Sequence, residues 1–476
     1  MSPARNEGLS HAYADLGLVP QGFDLATALE EALTTQVAAY YDPHSKEFRV
    51  VGGGRGKDVD EIIVAHELTH ALDDQHFDLE TFGGGEDNRL GLSEDERTAR
   101  QFVTEGEATF MMLAWRSASG EGRGKRLGPL GVAGVRMAVA LLGAADPIEL
   151  LASARGGRSV AELSPEDRGE IEQMTKLPPV ISLPLIEPYF KGAALVSEVW
   201  GRGGWDAVAD LYRHPPASTE QILHLHEKFF DRRDPPILMR LPAGRLVLGG
   251  PPIATDVLGE LGLRAYFKSW NLPSAEAAAA GWGGDRFWVW KRAGQFTWEP
   301  SKGSLRPSAP HPPPPFRSLP PSGTSGPAPS PPHSLATLAP SRSASPTLPR
   351  RFAAGDEGAR EARGLGRVAG GPEAPVGGAG GLPTRQFLVL WATRWDSEAD
   401  ARRFFAAYLD TLAPRFPGAR IERAGPDAWR LLRPQGDLLY VERRSCDVDV
   451  VVGARLEEMS DLRSVLLAVE RQAAGG

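Results

Sequence analysis

Cysteine is almost absent from this sequence of 476 residues. The single cysteine, Cys446, cannot form a disulfide bond within the chain. The lack of further cysteines also excludes any zinc site that is rich in thiolate ligands. Cys446 precedes the strand-like run DVDVVVGA, where we expect it to be a small buried residue with a structural role.

Long apolar runs and an excess of positive charge are also absent. The longest apolar stretch, residues 127–145, is rich in glycine and interrupted by Arg136, so we interpret it as a buried or amphipathic helix. The first 16 residues contain no continuous apolar segment of the kind found in signal peptides. The net charge of −8 argues against a broad nucleic-acid-binding surface. These absences favour a soluble protein without a transmembrane span, cytoplasmic by default.

Residues 301–384 lack hydrophobic periodicity. This segment holds 18 of the 41 prolines of the chain, together with much serine, glycine and alanine. Such a composition buries too little apolar surface to offset the entropy lost on folding, so we predict a disordered insert over residues 299–384. The insert falls between two strand-like runs, at 281–292 and 386–395, that would otherwise form a hairpin.

Helix and strand patterns predict an α+β protein with two ordered regions on either side of this insert. Residues 10–235 are mostly helical by pattern and are expected to form one domain. Residues 236–298 and 385–476 contain short strands and helices. We expect these two segments to form a smaller α+β domain that the insert at 299–384 interrupts.

The sequence H-E-L-T-H at residues 66–70 carries the most chemical information. It lies in a run that predicts a helix ending near residue 76. Residues four apart lie on one face of a helix, so His66 and His70 are able to reach the same metal ion. Glu67 is next to His66, where its carboxylate is able to act as a general base on a metal-bound water. This is the minimal equipment for zinc-assisted amide hydrolysis, so we expect Zn²⁺ as the cofactor.

A zinc site of this kind needs a third protein ligand, and two residues compete for that role. His76 fits the longer spacing H-E-x-x-H-x-x-G-x-x-H, but Asp73 occupies the position of the glycine that turns the chain back towards the metal. Glu105 lies in a second predicted helix, residues 94–116, which is able to present a carboxylate to the first. Its neighbour Glu107 projects about 200° away around the same helix, so both cannot be ligands. We favour Glu105 over His76.

The second predicted helix carries further local signals. Ser93 precedes Glu96 by three residues, which is the spacing of a capping box at a helix start. Gly106 and Ala108, on either side of Glu107, are small enough to allow another helix to approach closely. We expect them to bring this helix near the histidine-bearing helix and so to place Glu105 beside the two imidazoles.

HELTH followed about 35 residues later by EGEA resembles the gluzincin branch of the zincin metallopeptidases, whose third ligand is a glutamate on a following helix. More narrowly, AYYDPHSKEF, AHELTHALDDQHFDL, TEGEAT, GGWDAV and PPASTEQILH, in this order, are similar to a group of bacterial and haloarchaeal proteins described as metallopeptidases, many of them secreted or lipid-anchored. The similarity covers about residues 13–295 and 386–410. It implies a zincin-like catalytic domain at 10–235.

The resemblance also implies a set of functional residues. His66, His70 and Glu105 match the zinc ligands of the group, and Glu67 matches its general base. Two features depart from the group. Its exported members carry an N-terminal signal that is not visible in this sequence, and the proline-rich segment has no counterpart in them.

A hydrolase of this type also needs a hydrogen-bond donor for the oxyanion that forms during the reaction. The sequence offers four candidates: Tyr189, Tyr212, His224 and His226. We favour His224 as a catalytic residue, although its run STEQILH also fits a well-capped helix start. Asp74 and Asp78 are candidates to orient a ligand imidazole, or else are solvated carboxylates at a helix end.

These observations predict a zinc-dependent peptide-bond hydrolase that acts on a peptide or protein substrate. The general base would be Glu67, acting on a metal-activated water. The alternative is a non-catalytic envelope or surface protein that keeps the zinc site for stability or binding. A purely structural zinc site has no need of a carboxylate beside its first ligand, and for this reason we favour the hydrolase.

Overall fold

A computed structural model of the protein describes most of the chain outside the proline-rich segment. The described residues are 3–25, 27–28, 39–50, 61–85, 88–118, 129–144, 176–242, 244–247, 250–292, 297–300, 387–433 and 436–473. Contacts group residues 1–303 and 382–476 into one compact unit, and both predicted ordered regions fall within it. The second unit, residues 304–381, lies outside the described residues, as do nearly all of the predicted insert and the helix that the pattern indicates at 165–176.

The described α-helices lie mainly in the first half of the chain. They are α1 (Pro3–Leu16), α2 (Glu61–Phe77), α3 (Leu79–Phe82), α4 (Glu94–Ala118), α5 (Pro129–Ala144), α6 (Pro179–Arg213), α7 (Thr219–Leu223), α8 (Gly259–Ser269), α9 (Ala275–Ala279), α10 (Glu398–Arg415) and α11 (Met459–Ala468). A π-helical segment follows α7 at Leu225–Asp231, and a 3-10 turn precedes α11 at Leu456–Glu458. Among the described residues, no helix is long and apolar enough to cross a membrane.

The described strands lie mainly in the second half of the chain. They are β1 (Ala39–Asp42), β2 (Glu47–Val50), β3 (Ile237–Arg240), β4 (Gly244–Val247), β5 (Ala254–Asp256), β6 (Trp282–Lys291), β7 (Thr297–Pro300), β8 (Phe387–Trp395), β9 (Arg420–Gly425), β10 (Ala428–Leu432), β11 (Leu438–Arg444), β12 (Asp447–Ala454) and β13 (Glu470–Ala473). Seven of them form one antiparallel sheet in the order β5-β6-β8-β12-β11-β10-β9. The predicted α+β class is confirmed.

The two strands that flank the proline-rich segment pair with each other. In the antiparallel register of β6 with β8, Lys291 faces Phe387 at one end and Trp282 faces Trp395 at the other. The predicted pairing of these two strands is therefore confirmed. Between them in sequence, β7 pairs with β4 in a separate two-stranded sheet.

Three apolar clusters form the core. One lies against the sheet together with α1, α8 and α10, and contains the fully buried Trp391 and Trp395. Another contains Trp288 and Trp290 of β6 with residues of α11. Because successive strand residues point to opposite faces, Trp288 and Trp290 lie across the sheet from Phe287 and Val289 of the first cluster. The third cluster joins the helices α4, α5 and α6.

The start of α4 is fixed both locally and to the sheet. The Ser93 backbone N–H donates to the Glu96 carboxylate at 2.8 Å, and the Glu96 N–H donates to the Ser93 hydroxyl at 3.2 Å. This is the reciprocal capping box that the sequence predicts. The next N–H, that of Glu94, donates to Asp256 of β5 at 2.8 Å. The sheet therefore holds the end of the helix that carries Glu105.

The backbones of α4 and α6 are in direct contact. A Cβ atom added to Gly106 would lie 2.2 Å from the carbonyl carbon of Gly192, and one added to Gly192 would lie 2.3 Å from the carbonyl oxygen of Phe102. Only glycine at both positions permits this approach. The expectation that Gly106 would face the histidine-bearing helix is therefore wrong, because its Cα faces α6 instead.

Helix α6 also differs from the expected pattern. The sequence predicts that a helix breaks or begins at Pro188, yet both Pro184 and Pro188 lie inside α6. The non-helical backbone lies further on, at Gly203 and at Gly204, whose φ is +66°. The first part of α6 is therefore continuous across the glycine contact, and it carries Tyr189 one turn before Gly192.

We expect Gly192→Ala to lower the free energy of unfolding by about 1–3 kcal/mol, because the added methyl group has no space between two backbones. The same change should weaken metal binding, since it separates α4 from α6. The matched control is Gly134→Ala in α5, where nothing lies within 4 Å of the added Cβ. That variant should gain about 0.5–1 kcal/mol from its better helix propensity. Chemical denaturation of both variants provides the test, and equal effects would contradict the close helix contact.

Candidate metal centre

Three side chains from two helices converge at one point. His66 and His70 lie one turn apart on α2, and Glu105 comes from the middle of α4. The Nε2 atoms of His66 and His70 are 3.2 Å apart, and the Glu105 Oε2 atom lies 3.2 Å from the first and 3.5 Å from the second. Within the described ranges these are the residues that form a group able to hold a metal ion. They are the three ligands predicted from the sequence.

The spacing of these three atoms fits a small tetrahedral ion. With bonds of about 2.0–2.1 Å, two ligand atoms of a tetrahedral zinc site are separated by about 3.3–3.4 Å. The three observed separations, 3.2, 3.2 and 3.5 Å, lie close to this value. Two imidazole nitrogens and one carboxylate oxygen also form a common ligand set of catalytic zinc, which leaves the fourth position open. The residues present therefore fit a zinc ion.

The charge around the cluster favours a cation. Burial lowers the pKa of His70, but the Glu105 carboxylate more than offsets this effect and raises the pKa to about 9. Burial raises the pKa of Glu105, and the two imidazoles reverse this so that the net pKa is lowered. Glu67 and Asp73 add further negative charge near His70. The carboxylates around this site attract positive charge, which a divalent ion is able to supply.

The Glu67 carboxylate lies beside the cluster and is held by the β1–β2 hairpin. Its Oε2 atom accepts a hydrogen bond of 2.8 Å from the backbone N–H of Tyr41 in β1. The residue is buried, at 9% exposed. Its negative charge contributes to raising the pKa of both His70 and Tyr189, so it lies within electrostatic reach of both residues. Glu67 thus lies near the cluster, and its role as a general base stays a prediction.

Asp74 fastens the same hairpin to α2. Its carboxylate accepts hydrogen bonds from the Tyr41 hydroxyl at 2.7 Å, from Lys46 Nζ at 2.9 Å and from the Leu79 N–H at 2.9 Å. Asp78 caps α3, with its carboxylate accepting from the Thr81 hydroxyl at 2.7 Å. The contacts of both acids are thus structural. Asp74 supports the metal centre indirectly, because Tyr41 bonds to both Asp74 and Glu67.

Tyr189 of α6 covers one side of the cluster. Its ring stacks on the His66 imidazole with a centroid distance of 5.7 Å and an interplanar angle of 17°. The Glu105 carboxylate, burial and Glu67 together raise the pKa of Tyr189 well above its ordinary value. The hydroxyl therefore keeps its proton and remains a donor at neutral pH. With 36% of its surface exposed, Tyr189 is also accessible to a bound molecule.

A buried acidic network lies behind His70. The Tyr212 hydroxyl donates to Asp73 at 3.1 Å, and the Tyr212 ring stacks on Phe77 at 4.2 Å. Burial raises the pKa of both Asp73 and Glu107, and the charge of Asp73 raises that of Glu107 further. Glu107 thus points away from the ligand atoms into this network, in agreement with the prediction that it and Glu105 are not joint ligands.

The remaining histidine candidates lie elsewhere. Helix α2 continues unbroken through His76, which is exposed at its last turn and lies outside the cluster. His224, the residue favoured from the sequence as an oxyanion donor, places its Nε2 atom 2.9 Å from the buried Glu260 of α8. His226 is exposed, with its Nδ1 atom 3.4 Å from Arg202. The structure brings Tyr189 to the cluster, and it engages His224 and His226 in these other contacts.

A cavity of about 420 Å³ adjoins the cluster. Its lining includes His70 and Glu105 of the cluster, Tyr41 of the hairpin, and residues along α4 between Glu94 and Glu105. A second and mainly apolar cavity, of about 260 Å³, lies across the first turns of α4, between α1 and the start of α6. The first cavity gives access from outside to His70 and Glu105.

Comparison with known proteins adds one partial match. Residues 377–463 match a protein family described as a domain of unknown function, DUF8575. The matched segment contains β8 to β12 and none of the three ligand residues. No curated protein matches the chain. No solved structure matches it either. The function is therefore inferred from the metal centre itself.

Glu105 and His76, the two candidates for the third ligand, lead to different expectations for metal binding. We expect Glu105→Ala to lower the zinc content of the purified protein by at least about tenfold, because the carboxylate is one of three ligands. His76→Ala should leave the zinc content unchanged, since His76 lies outside the cluster. Metal analysis by mass spectrometry after dialysis provides the measurement. Loss of zinc in His76→Ala with retention in Glu105→Ala would instead establish His76 as the ligand.

Proposed function

We propose that the protein is a zinc-dependent peptide-bond hydrolase in which His66, His70 and Glu105 hold the metal. The main support is the triangle of ligand atoms at 3.2–3.5 Å, which opens onto a cavity. A carboxylate and a tyrosine hydroxyl stand beside the triangle without being part of it. These two groups are what a hydrolytic site needs in addition to the metal.

Zinc, when bound, supplies a Lewis acid that polarises a substrate carbonyl and lowers the pKa of a water molecule. The contribution of the protein starts with Glu67, whose carboxylate takes a proton from the attacking water and delivers it to the leaving nitrogen. The hydrogen bond from the Tyr41 backbone N–H fixes one carboxylate oxygen of Glu67. Among the described residues no hydrogen bond holds the other oxygen, which is left to exchange protons.

Tyr189 is the residue best placed to stabilise the oxyanion. Its hydroxyl keeps its proton, its ring stacks on the ligand His66, and its side chain is partly exposed. His224 is the candidate favoured from the sequence, but its ring is engaged with Glu260. We therefore assign the oxyanion donor to Tyr189. A donor of this kind contributes about 10²–10³ in kcat.

Glu67→Gln should retain zinc and lose hydrolysis. The amide keeps the size and the hydrogen-bonding capacity of the side chain but cannot accept the proton of the attacking water. We expect kcat on a mixed peptide library to fall at least about 10²-fold, the lower limit of a general-base contribution. The measurement combines metal analysis with mass-spectrometric profiling of the cleaved peptides.

The matched control is Glu61→Gln, which changes an exposed glutamate in the first turn of the same helix. It should cleave the library as the unmodified protein does. If the unmodified protein binds zinc but cleaves no peptide in a manner that depends on Glu67, the hydrolase assignment is wrong. The non-catalytic zinc protein then takes its place.

Tyr189→Phe separates the two candidate oxyanion donors. Removal of the hydroxyl should lower kcat about 100-fold with little change in KM or zinc content, because the oxyanion forms only during the reaction. His224→Gln serves as the comparison and should retain kcat within about threefold, with its folding checked by thermal unfolding. The opposite pattern would assign the role to His224.

A further inference from the structure

The cavity beside the metal centre has a cationic region. Its charged lining residues are His70 and Glu105 at the metal cluster, and Glu94, Arg97 and Arg100 further along α4. Glu105 is committed to the metal in the proposed site. Away from the cluster, two guanidinium groups therefore face a single carboxylate, and the excess charge there is positive.

The positions on α4 give the scale of this arrangement. Arg100 precedes Glu105 by five residues, and Arg97 by eight. At 1.5 Å per residue these intervals correspond to about 7.5 Å and about 12 Å along the helix axis. An extended peptide advances about 3.3 Å per residue. A peptide that runs along α4 from the ligand cluster thus reaches Arg100 about two residues from the bond at the metal.

Arg100 is held in place but is not neutralised. Its Nη1 atom donates to the Phe82 carbonyl at 3.0 Å, and its guanidinium lies 5.1 Å from the centre of the Phe82 ring. Among the described residues, no carboxylate lies within ion-pair distance of it; Glu96 acts on it only through longer-range electrostatics. The contacts with Phe82 orient the group and leave further N–H donors for a bound molecule.

Arg97 adds a second positive charge, which the Glu94 carboxylate compensates only weakly. It lies 3.9 Å from Glu94, and both side chains are substantially exposed, at 37% and 51%. An exposed pair at this distance contributes little binding energy. Arg97 is therefore free to turn towards an anion held by Arg100.

We propose that Arg100, assisted by Arg97, binds a carboxylate of the substrate about two residues from the cleaved bond. The inference rests on the proposed hydrolase function and names its substrate class: peptides with a negative charge at this position. The carboxylate belongs either to an aspartate or glutamate side chain or to a free carboxyl terminus. A guanidinium is suited to both, because its planar N–H groups match the two oxygens of a carboxylate.

The test uses the zinc-loaded, full-length protein and a series of matched peptides. Each peptide carries Glu or Gln at one position within three residues of the cleaved bond, and each is made with a free and with an amidated carboxyl terminus. We expect kcat/KM to be about 10- to 100-fold higher for the acid than for its neutral analogue at one position. A difference between Glu and Gln identifies a side chain as the ligand, and a difference between free and amidated ends identifies the terminus.

The preference for the acid should disappear in Arg100→Gln. Arg116→Gln is the control, because Arg116 is exposed on the same helix and outside the cavity. This control should keep the preference in full. Equal kcat/KM values for acidic and neutral peptides in the unmodified protein, or an unchanged preference in Arg100→Gln, would overturn the proposal.

A binding measurement separates this inference from the hydrolase function and from defects in folding. Zinc-loaded Glu67→Gln protein should bind the acidic peptide about tenfold more tightly than its neutral analogue. Equal affinities would overturn the role of Arg100 even if Arg100→Gln failed to fold. Hydrolysis without a preference for acids contradicts only the present proposal. Absence of hydrolysis dependent on Glu67 contradicts the proposed function itself.

Discussion

The contact between Gly106 and Gly192 is the constraint on which the metal centre depends. Glu105 directly precedes the first glycine, and Tyr189 lies one turn before the second. The two backbones touch at this point, where larger side chains would hold them apart, and Tyr189 therefore lies within electrostatic reach of the Glu105 carboxylate. The Glu105 carboxylate and the Tyr189 ring both contact the His66 imidazole of α2. The cluster is thus built by helix packing, and its three ligand residues lie on helices.

Acidic side chains around the ligand cluster contribute to the site in addition to helix packing. Two acidic groups beside the ligand cluster are held by specific partners: Glu67 by the Tyr41 backbone and Asp73 by Tyr212. The Tyr212 hydrogen bond lowers the pKa of Asp73 and so partly opposes the rise that burial causes. The β1–β2 hairpin is part of this arrangement, because Asp74 anchors the Tyr41 side chain while the Tyr41 N–H engages Glu67. The acidic groups and their partners together form a pocket that suits a divalent cation.

Local features of this fold can be predicted from the sequence, whereas features that depend on residues distant in the chain cannot. The face shared by His66 and His70 follows from helical periodicity, and the Ser93 cap follows from a spacing of three residues. The partner of Gly106 is 86 residues away in the chain, so its identity requires the packed structure. The same holds for His224, whose capped helix is predictable but whose contact with Glu260 is not. Tyr189 lies near two prolines that indicate a helix break, and the continuity of α6 overrides that signal.

The pairing of β6 with β8 has a consequence for how the chain is made. Lys291 and its partner Phe387 are about 95 residues apart, so at an elongation rate of about 5–20 residues per second roughly 5–20 s separate the synthesis of the two strands. During that interval one edge of β6 lacks its partner while its tryptophans are still without their final packing. Unpaired edges of this kind recruit other strands. The long interval therefore leaves β6 open to incorrect pairing while the chain is being made. Chaperones act on nascent chains at this stage.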